Sequence, residues 1–279
     1  MLELSEQTRF ELPASGLRHG DGLFETLRVE RGAPCFLDRH LARLEAGLAF
    51  LGMPELPPRP AVEAFLRGFL DRTGAGSGAL RLVAVDGKLT FFFQPKSLEP
   101  PGPVKLTISR KVVRNSRSPL RSFKTLSYLE NLLLVREAET EGAFDAVALN
   151  ETGLMTDGGR TNLFVVQGDR VLTPPASSGC LPGVARSVLL DARMALEASL
   201  LPAELRSADA VFLTNALRGV IAVDTVLPEG DTEAAVFPDP RHPAILRARD
   251  ALFMDDALRG ERNREIVARL SASEHNGAW

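Results

Sequence analysis

Cysteine is nearly missing from this chain: Cys35 and Cys180 are the two in 279 residues. Two thiols so far apart exclude a disulfide framework or a cysteine-built zinc site, and they suit a reducing cytoplasm. Charge of one sign is not in excess either. With 33 Lys and Arg against 36 Asp and Glu, the formal net charge is −3, which gives no electrostatic footprint for nucleic acid. No apolar run approaches the roughly 20 residues of a membrane span. Glu3 and Glu6 interrupt the start of the chain where a signal peptide needs its apolar stretch. Repeats and low-complexity segments are absent. The expectation is a soluble cytoplasmic protein without nucleic-acid or membrane partners. A hydrophobic content of 44% suffices for a sizeable core, and the length allows one large or two modest domains.

The first third reads as mixed strand and helix. Gly22 to Val29 alternates as a strand, and Asp38 to Leu51 carries Leu41, Leu44, Leu48 and Leu51 on one helical face with Asp38 placed to cap it. A second helix is expected over Ala61–Asp71, then a hairpin of Ala79–Val85 and Lys88–Phe93 around Asp86-Gly87. Val104–Ser109 follows as a strand. The polar stretch Val113–Leu120 reads as a connector, which divides the chain into domains over 1–115 and 124–279 with a linker at 116–123. Beyond it the pattern predicts strands at Ala146–Asn150, Thr161–Gln167, Arg170–Thr173, Ala210–Thr214 and Val220–Val226. A long helix is expected over Val184–Leu200, a charged helical tail over Ala244–Leu270 and a frayed end at Ser271–Trp279.

Five places carry chemistry. Lys124 precedes an apolar stripe of Leu126, Leu129 and Leu133, with Ser122 as a possible N-cap, so the spacing sets one lysine at the mouth of an amphipathic helix. A lysine held at the edge of a core loses water, its pKa falls and its amine can attack a carbonyl. Most lysines at helix starts are nonetheless solvated surface residues. The loop Ser177–Gly183 runs into a helix whose first amides, at Val184 and Ala185, form a cradle for an anion, although a plain loop fits the same residues. Thr214 ends a strand with a hydroxyl, Arg43 offers a cation from a helix of the first half, and Asp157 stands before a buried-looking strand. Each has an ordinary structural reading by itself. Together they are what pyridoxal phosphate requires: an amine for its aldehyde, an acid for its ring nitrogen and a cup for its phosphate.

The motifs His19-Gly20-Asp21-Gly22-Leu23-Phe24-Glu25-Thr26-Leu27-Arg28, His40 to Leu44, Lys124 to Leu129, Asp157 to Phe164, Leu181 to Arg186 and Phe212 to Val220 resemble, in order, those of the fold-type IV pyridoxal-phosphate enzymes. This class IV aminotransferase family includes branched-chain and D-amino acid aminotransferases and aminodeoxychorismate lyases. The resemblance spans about Gly16 to Val226. It implies an α/β (α+β type) fold of two domains with pyridoxal 5'-phosphate in the cleft between them, and a homodimer. It makes Lys124 the Schiff-base lysine and proton carrier. Arg43, the Gly183-Val184-Ala185 amides and Thr214 become the phosphate binders, Tyr128 the neighbour of the cofactor hydroxyl and Asp157 the partner of the ring nitrogen. The family has Glu where Asp157 stands and more often Thr where Ala185 stands; Ser127 and Ala222 are milder departures.

Substrate residues implied by the resemblance are Phe24, Arg28 and Arg81. Phe24 in place of tyrosine, and the tight Asp86-Gly87 turn, disfavour a D-amino acid aminotransferase. A longer arginine-bearing loop typical of the lyases is also missing, whereas the spelling of the first motif and of Ser178–Gly183 is lyase-like. The reading is an aminotransferase acting on an amino acid and a 2-oxo acid. The alternatives are a lyase releasing pyruvate and 4-aminobenzoate from aminodeoxychorismate, and a non-catalytic binding protein of the same fold, for which the Asp157 departure is the one support.

Overall fold

The structure, a computed structural model, describes residues 1–6, 15–228, 230 and 232–252. In chain order the first elements are β1 (Glu3–Ser5), α1 (Ser15–His19), β2 (Leu23–Glu30), β3 (Ala33–Pro34), α2 (Leu37–Leu51), α3 (Arg59–Arg72), β4 (Gly78–Val85) and β5 (Lys88–Pro95). Their five strands form one sheet in the order β1-β5-β4-β2-β3. The β4–β5 hairpin turns at Asp86 and Gly87, both with positive φ (48° and 75°), as its Asp-Gly pair demands.

Alternation along β2 divides its side chains between core and cleft, because successive residues of a strand point to opposite faces. Leu23, Leu27 and Val29 face α2 and α3 and bury with Leu41, Leu44, Leu48, Val62, Leu66, Leu80 and Leu82. Each such leucine contributes roughly 1.5–3 kcal/mol. Glu25 points to the same buried face. Phe24, on the other face, clusters with Val83 and Val85 and with Leu126 and Tyr128 from the later chain.

The second group comprises β6 (Val104–Arg114), α4 (Leu129–Thr140), β7 (Asp145–Asn150), β8 (Met155–Gly158), β9 (Asn162–Gln167), β10 (Arg170–Thr173), α5 (Val184–Asp191), β11 (Leu196–Glu197), α6 (Pro202–Arg206), β12 (Ala210–Asn215), β13 (Gly219–Val226) and β14 (Ala235–Val236). Its sheet runs β11-β10-β9-β12-β13-β6-β7-β8, with β14 paired to β13. The central strands are apolar on both faces because both are covered. Phe164, Val166 and Phe212 pack under α5 and the helical residues 243–252, while Leu163, Val165, Val211 and Leu213 fill the opposite core. None of the helices among the described residues is long and apolar enough to cross a membrane. The charged tail beyond residue 252 and the expected frayed end lie outside the described residues.

Four expectations need correction. β6 does not end at Ser109 but continues through Arg114, pairing in parallel with β13 and β7. The long helix from Val184 stops at Asp191; Arg193 takes a positive φ of 56°, and Leu196-Glu197 pair with β10. Asp38 lies in the first turn of α2, whose N-cap is Phe36, without a side-chain cap. The helix after Lys124 begins only at Leu129. Ser122 closes a short 3-10 turn, Pro119–Ser122. Leu129, Leu132 and Leu133 are exposed, and α4 buries Asn131, Leu134, Glu137 and Ala138 instead.

Candidate active site

Lys124 is held by backbone pairing, not by a helix. Its carbonyl accepts from Phe24 N (2.8 Å), Leu126 N donates to the Gly22 carbonyl (2.9 Å), and Thr125 bridges Leu23. The segment leaves the second sheet through β6, is stitched to the start of β2, and returns through α4. Lys124 therefore sits where the two sheets meet, on the floor of a cleft of about 310 Å³.

Aromatic rings wall the amine. Nζ lies 4.4 Å from the Phe24 ring centre and 4.3 Å from that of Tyr128, and the two rings meet edge to face at 5.0 Å. Nζ donates to Tyr128 Oη at 2.9 Å. Burial, reinforced by the Arg43 guanidinium, pulls the lysine pKa down to about 7, against the pull of Glu25 and Asp157. Burial and the nearby Asp157 and Asp145 carboxylates push the Tyr128 phenol up to about 12, so it stays protonated.

Arg43 projects from α2 toward this cleft. Nε and Nη2 donate to the two Glu25 oxygens (2.7 and 2.6 Å), and Nη1 to the Pro182 carbonyl (2.9 Å). A guanidinium carries five N–H groups, so two remain for a ligand. Glu25 is 1% exposed. Burial works to raise its pKa, but Arg43 and His40 outweigh it and hold the carboxyl at about 2. His40 Nδ1 lies 2.6 Å from Glu25 Oε2, and burial keeps this imidazole below the usual histidine range. Its Nε2 is buried and unpartnered.

Across the cleft, Gly183 caps α5. A Cβ there would overlap Asn162 Oδ1, so only glycine lets the chain approach. The first-turn amides of α5, at Val184 and Ala185, lack intrahelical acceptors and line the cleft with Arg43 and Thr214. Thr214 is wholly buried and its hydroxyl has no partner. A buried hydroxyl without a partner is costly unless something fills its hydrogen bond. Arg43, two helix-start amides and this hydroxyl form a cup for a dianionic phosphate. With the desolvated Lys124 amine lining the same cleft, these residues fit pyridoxal phosphate.

Asp157 lies one residue before the end of β8, on the wall of the cleft, 3% exposed. Arg121 Nη2 donates to it at 3.2 Å and Leu181 N at 2.8 Å. Arg114 Nε lies 3.3 Å away, close enough for an ion pair though not aligned for a hydrogen bond. Arg121 Nε also donates to the Gly179 carbonyl (2.8 Å), so one side chain holds both the acid and the loop beside it.

Of the other expected site residues, Arg81 lies 5.0 Å from the Phe24 ring centre and lines both this cleft and an adjoining chamber of about 630 Å³. Thr26, Lys96 and Leu217 line both as well. Arg28, the other arginine expected at the substrate, lines neither. Its Nη1 donates to the Leu98 and Leu217 carbonyls (3.0 Å each) and its Nε to Glu30, so it ties β2 to two loops. Sequence reasoning gave no role to Glu25, His40, Arg114, Arg121 or Asp145. For Glu25 a signal existed, a lone acid on the apolar stripe Leu23, Leu27, Val29.

Residues 22–226 match the family described as amino-transferase class IV. The chain is 26% identical over 258 residues to a D-alanine aminotransferase of Bacillus licheniformis, covering 86% of this chain and 90% of that one. It is 30% identical over 199 residues to a bifunctional aminodeoxychorismate lyase / D-amino acid transaminase of Mycobacterium tuberculosis, covering 62% and 68%. A crystal structure from Legionella pneumophila, provisionally assigned as a 4-amino-4-deoxychorismate lyase, superposes with a TM-score of 0.81 at 26% identity, over 91% of this chain and 99% of that one.

Proposed function

Because the chain belongs to the class IV amino-transferase family, whose enzymes depend on pyridoxal phosphate, we propose that it moves an amino group from an amino acid to a 2-oxo acid at Lys124. The observation that carries this reading is the Lys124 amine, desolvated between Phe24 and Tyr128 and lowered to about 7, facing a phosphate cup across one cleft. Near pH 7 such an amine is both nucleophile and base.

Bound pyridoxal phosphate supplies an aldehyde that captures amines and a ring that accepts electrons from the substrate Cα. The chain's own residues do the rest. Arg43, the amides of Val184 and Ala185, and Thr214 Oγ hold the phosphate, with Gly183 giving the loop its close approach. Asp157, kept in place by Arg121 and Arg114, presents its carboxylate to the ring nitrogen. Tyr128 fixes the Lys124 amine by accepting from it. Lys124 Nζ takes the proton from the substrate Cα, while Phe24 keeps bulk water off that side. Arg81 binds a substrate carboxylate at the mouth.

Lyase chemistry on aminodeoxychorismate is the second reading. The adjoining chamber favours it, since its largely apolar walls and the cations Arg81 and Lys96 suit a ring bearing carboxylates. We place a second copy of the chain over the exposed Leu129, Leu132 and Leu133 of α4, with Leu120 and Val113 nearby in sequence, because so many large apolar side chains left in water mark an interface. The setting we infer is the cytoplasm, in keeping with two buried free thiols.

Purified protein supplied with pyridoxal phosphate tests the reading. A visible absorption band that Lys124→Ala abolishes, together with amino transfer to a 2-oxo acid, is the expected result. A colourless protein sinks the proposal, and release of 4-aminobenzoate from aminodeoxychorismate replaces it with the lyase.

A further inference from the structure

Asp145 opens β7 and is wholly buried, away from the cleft lining. Oδ1 accepts from Ala146 N and Gly159 N (2.9 Å each); Oδ2 accepts from Arg160 N (3.1 Å) and Thr161 Oγ1 (2.7 Å). Burial pushes this carboxyl upward, and the donors work against that. Four donors, two on each oxygen, match a carboxylate and leave no vacant acceptor for a proton.

One of those donors matters for the cleft. The peptide joining Gly159 to Arg160 offers its N–H to Asp145. In a trans peptide N–H and C=O point in opposite directions. Anchoring the N–H therefore aims the Gly159 carbonyl the other way, where it accepts from Tyr128 Oη (3.1 Å) and Asn131 Nδ2 (3.0 Å). Glycine is needed there, since a Cβ on residue 159 would lie 2.6 Å from the Asn131 carbonyl oxygen. A carbonyl only accepts, so the Tyr128 hydrogen is committed to Gly159. What the phenol turns toward Lys124 Nζ at 2.9 Å is its oxygen.

We propose that Asp145 is a positioning residue for Lys124: through the Gly159–Arg160 peptide it fixes the direction of the Tyr128 hydroxyl, so that the phenol accepts from the amine and never donates to it. An acceptor at this place supports the protonated amine, whereas a phenol free to turn would donate to the lone pair and favour the neutral form. The inference rests on the reading of Lys124 as the reactive amine. Other charged groups around Nζ are Glu25 on β2, His40 and Arg43 on α2, Arg81 on β4 and Asp157 on β8. None of them contacts Asp145.

The test is the pH midpoint for labelling of the Lys124 amine by an acylating reagent, read by mass spectrometry on the full chain freed of cofactor. Asp145→Asn puts an amide where two donors point, and Tyr128→Phe removes the acceptor. Each should lower the midpoint by about one unit, the size one hydrogen bond produces. The double variant should shift no further than either single one, since both act through the same hydroxyl. A midpoint unchanged in Asp145→Asn, or shifts that add, overturns the proposal and leaves Asp145 a purely structural anchor. If Asp145→Asn does not fold, Thr161→Val removes one donor to Oδ2; a smaller shift in the same direction supports the proposal and no shift overturns it. Borohydride trapping of pyridoxal phosphate on the wild-type protein is run alongside. Failure there sinks the functional reading while the labelling result still stands or falls separately.

Discussion

Arg121 holds Asp157 with Nη2 at 3.2 Å while its Nε fixes the Gly179 carbonyl at 2.8 Å. The Asp157 carboxylate and the loop leading to Gly183 are thus set by one side chain. A carboxylate one methylene shorter than the family's glutamate is kept in place by this grip, by Arg114 and by the Leu181 amide.

Removing the grip should separate cofactor uptake from turnover. In Arg121→Gln the lysine, Arg43 and Thr214 are all still present, so the visible band of bound pyridoxal phosphate is retained, with weaker uptake because the loop loses its hold at Gly179. Turnover falls by roughly tenfold or more, because the acid is no longer held. Asp157→Asn likewise keeps the band and loses most turnover. Steady-state rates beside absorbance titration check both, and unchanged turnover in Asp157→Asn would show that another group pairs with the ring nitrogen.

Glu25 makes the fold acid-sensitive. Its carboxyl is held at about 2 in the folded protein, against an ordinary value of 4.5. A lowered pKa means the unfolded chain binds the extra proton first. The stabilisation is therefore complete above about pH 5 and is lost as pH falls toward 2, on the order of 3 kcal/mol in all. Urea unfolding of the wild type should show this slope between pH 5 and 2, and Glu25→Gln should flatten it while lowering stability at pH 7.

Lys124 carries the opposite sign. Its amine is lowered to about 7 from 10.5. Between those values the unfolded chain holds a proton that the folded chain does not, so stability rises with pH across the window. The cost is fully present below pH 7 and gone above about 10.5. Without cofactor, Lys124→Met should be the more stable protein at pH 7 by about 2 kcal/mol, a figure discounted for solvent reaching the cleft. That advantage should vanish near pH 10.5 in denaturant melts, and the variant should take up no cofactor covalently.

Thr214 offers a cleaner division between stability and binding. Its hydroxyl is buried and unpartnered, so Thr214→Val should leave the cofactor-free protein equally stable or slightly more so. Pyridoxal phosphate should be held roughly 10-fold to 100-fold less tightly, the value of one hydrogen bond to an anion. Equilibrium dialysis measures the loss, and an unchanged affinity would place the phosphate elsewhere.

Arg81 and Arg28 should behave differently although they lie on paired strands. Arg81→Gln is expected to raise KM for carboxylate substrates by about tenfold, as one lost charge-assisted contact does. Arg28→Met should lower the unfolding temperature and leave KM nearly unchanged, because its donors hold Leu98, Leu217 and Glu30.

Much of this protein was determined by its sequence alone. The alternation of β2, the periodicity of α2 and the Asp86-Gly87 turn depend on residues a few positions apart, and each formed within a residue or two of its expected place. The motifs around Arg43, Lys124, Asp157, Gly183 and Thr214 pointed to one cofactor because its phosphate, aldehyde and ring nitrogen need distinct residue types. What only the tertiary structure decided are relations between residues far apart in the chain. Arg43 meets Pro182 across 139 positions, Arg121 meets Asp157 across 36, and Arg28 is drawn out of the cleft by Leu217 across 189. β6 joined the second sheet because β13 and β7, far downstream, pair with it on both edges. Desolvation and ion pairing follow from such long-range packing, which no local pattern encodes. Lys124 shows the difference: the sequence marked it as the reactive amine and set it beside a helix, whereas the fold holds it by strand pairing to β2 and gives it the walls that lower its pKa.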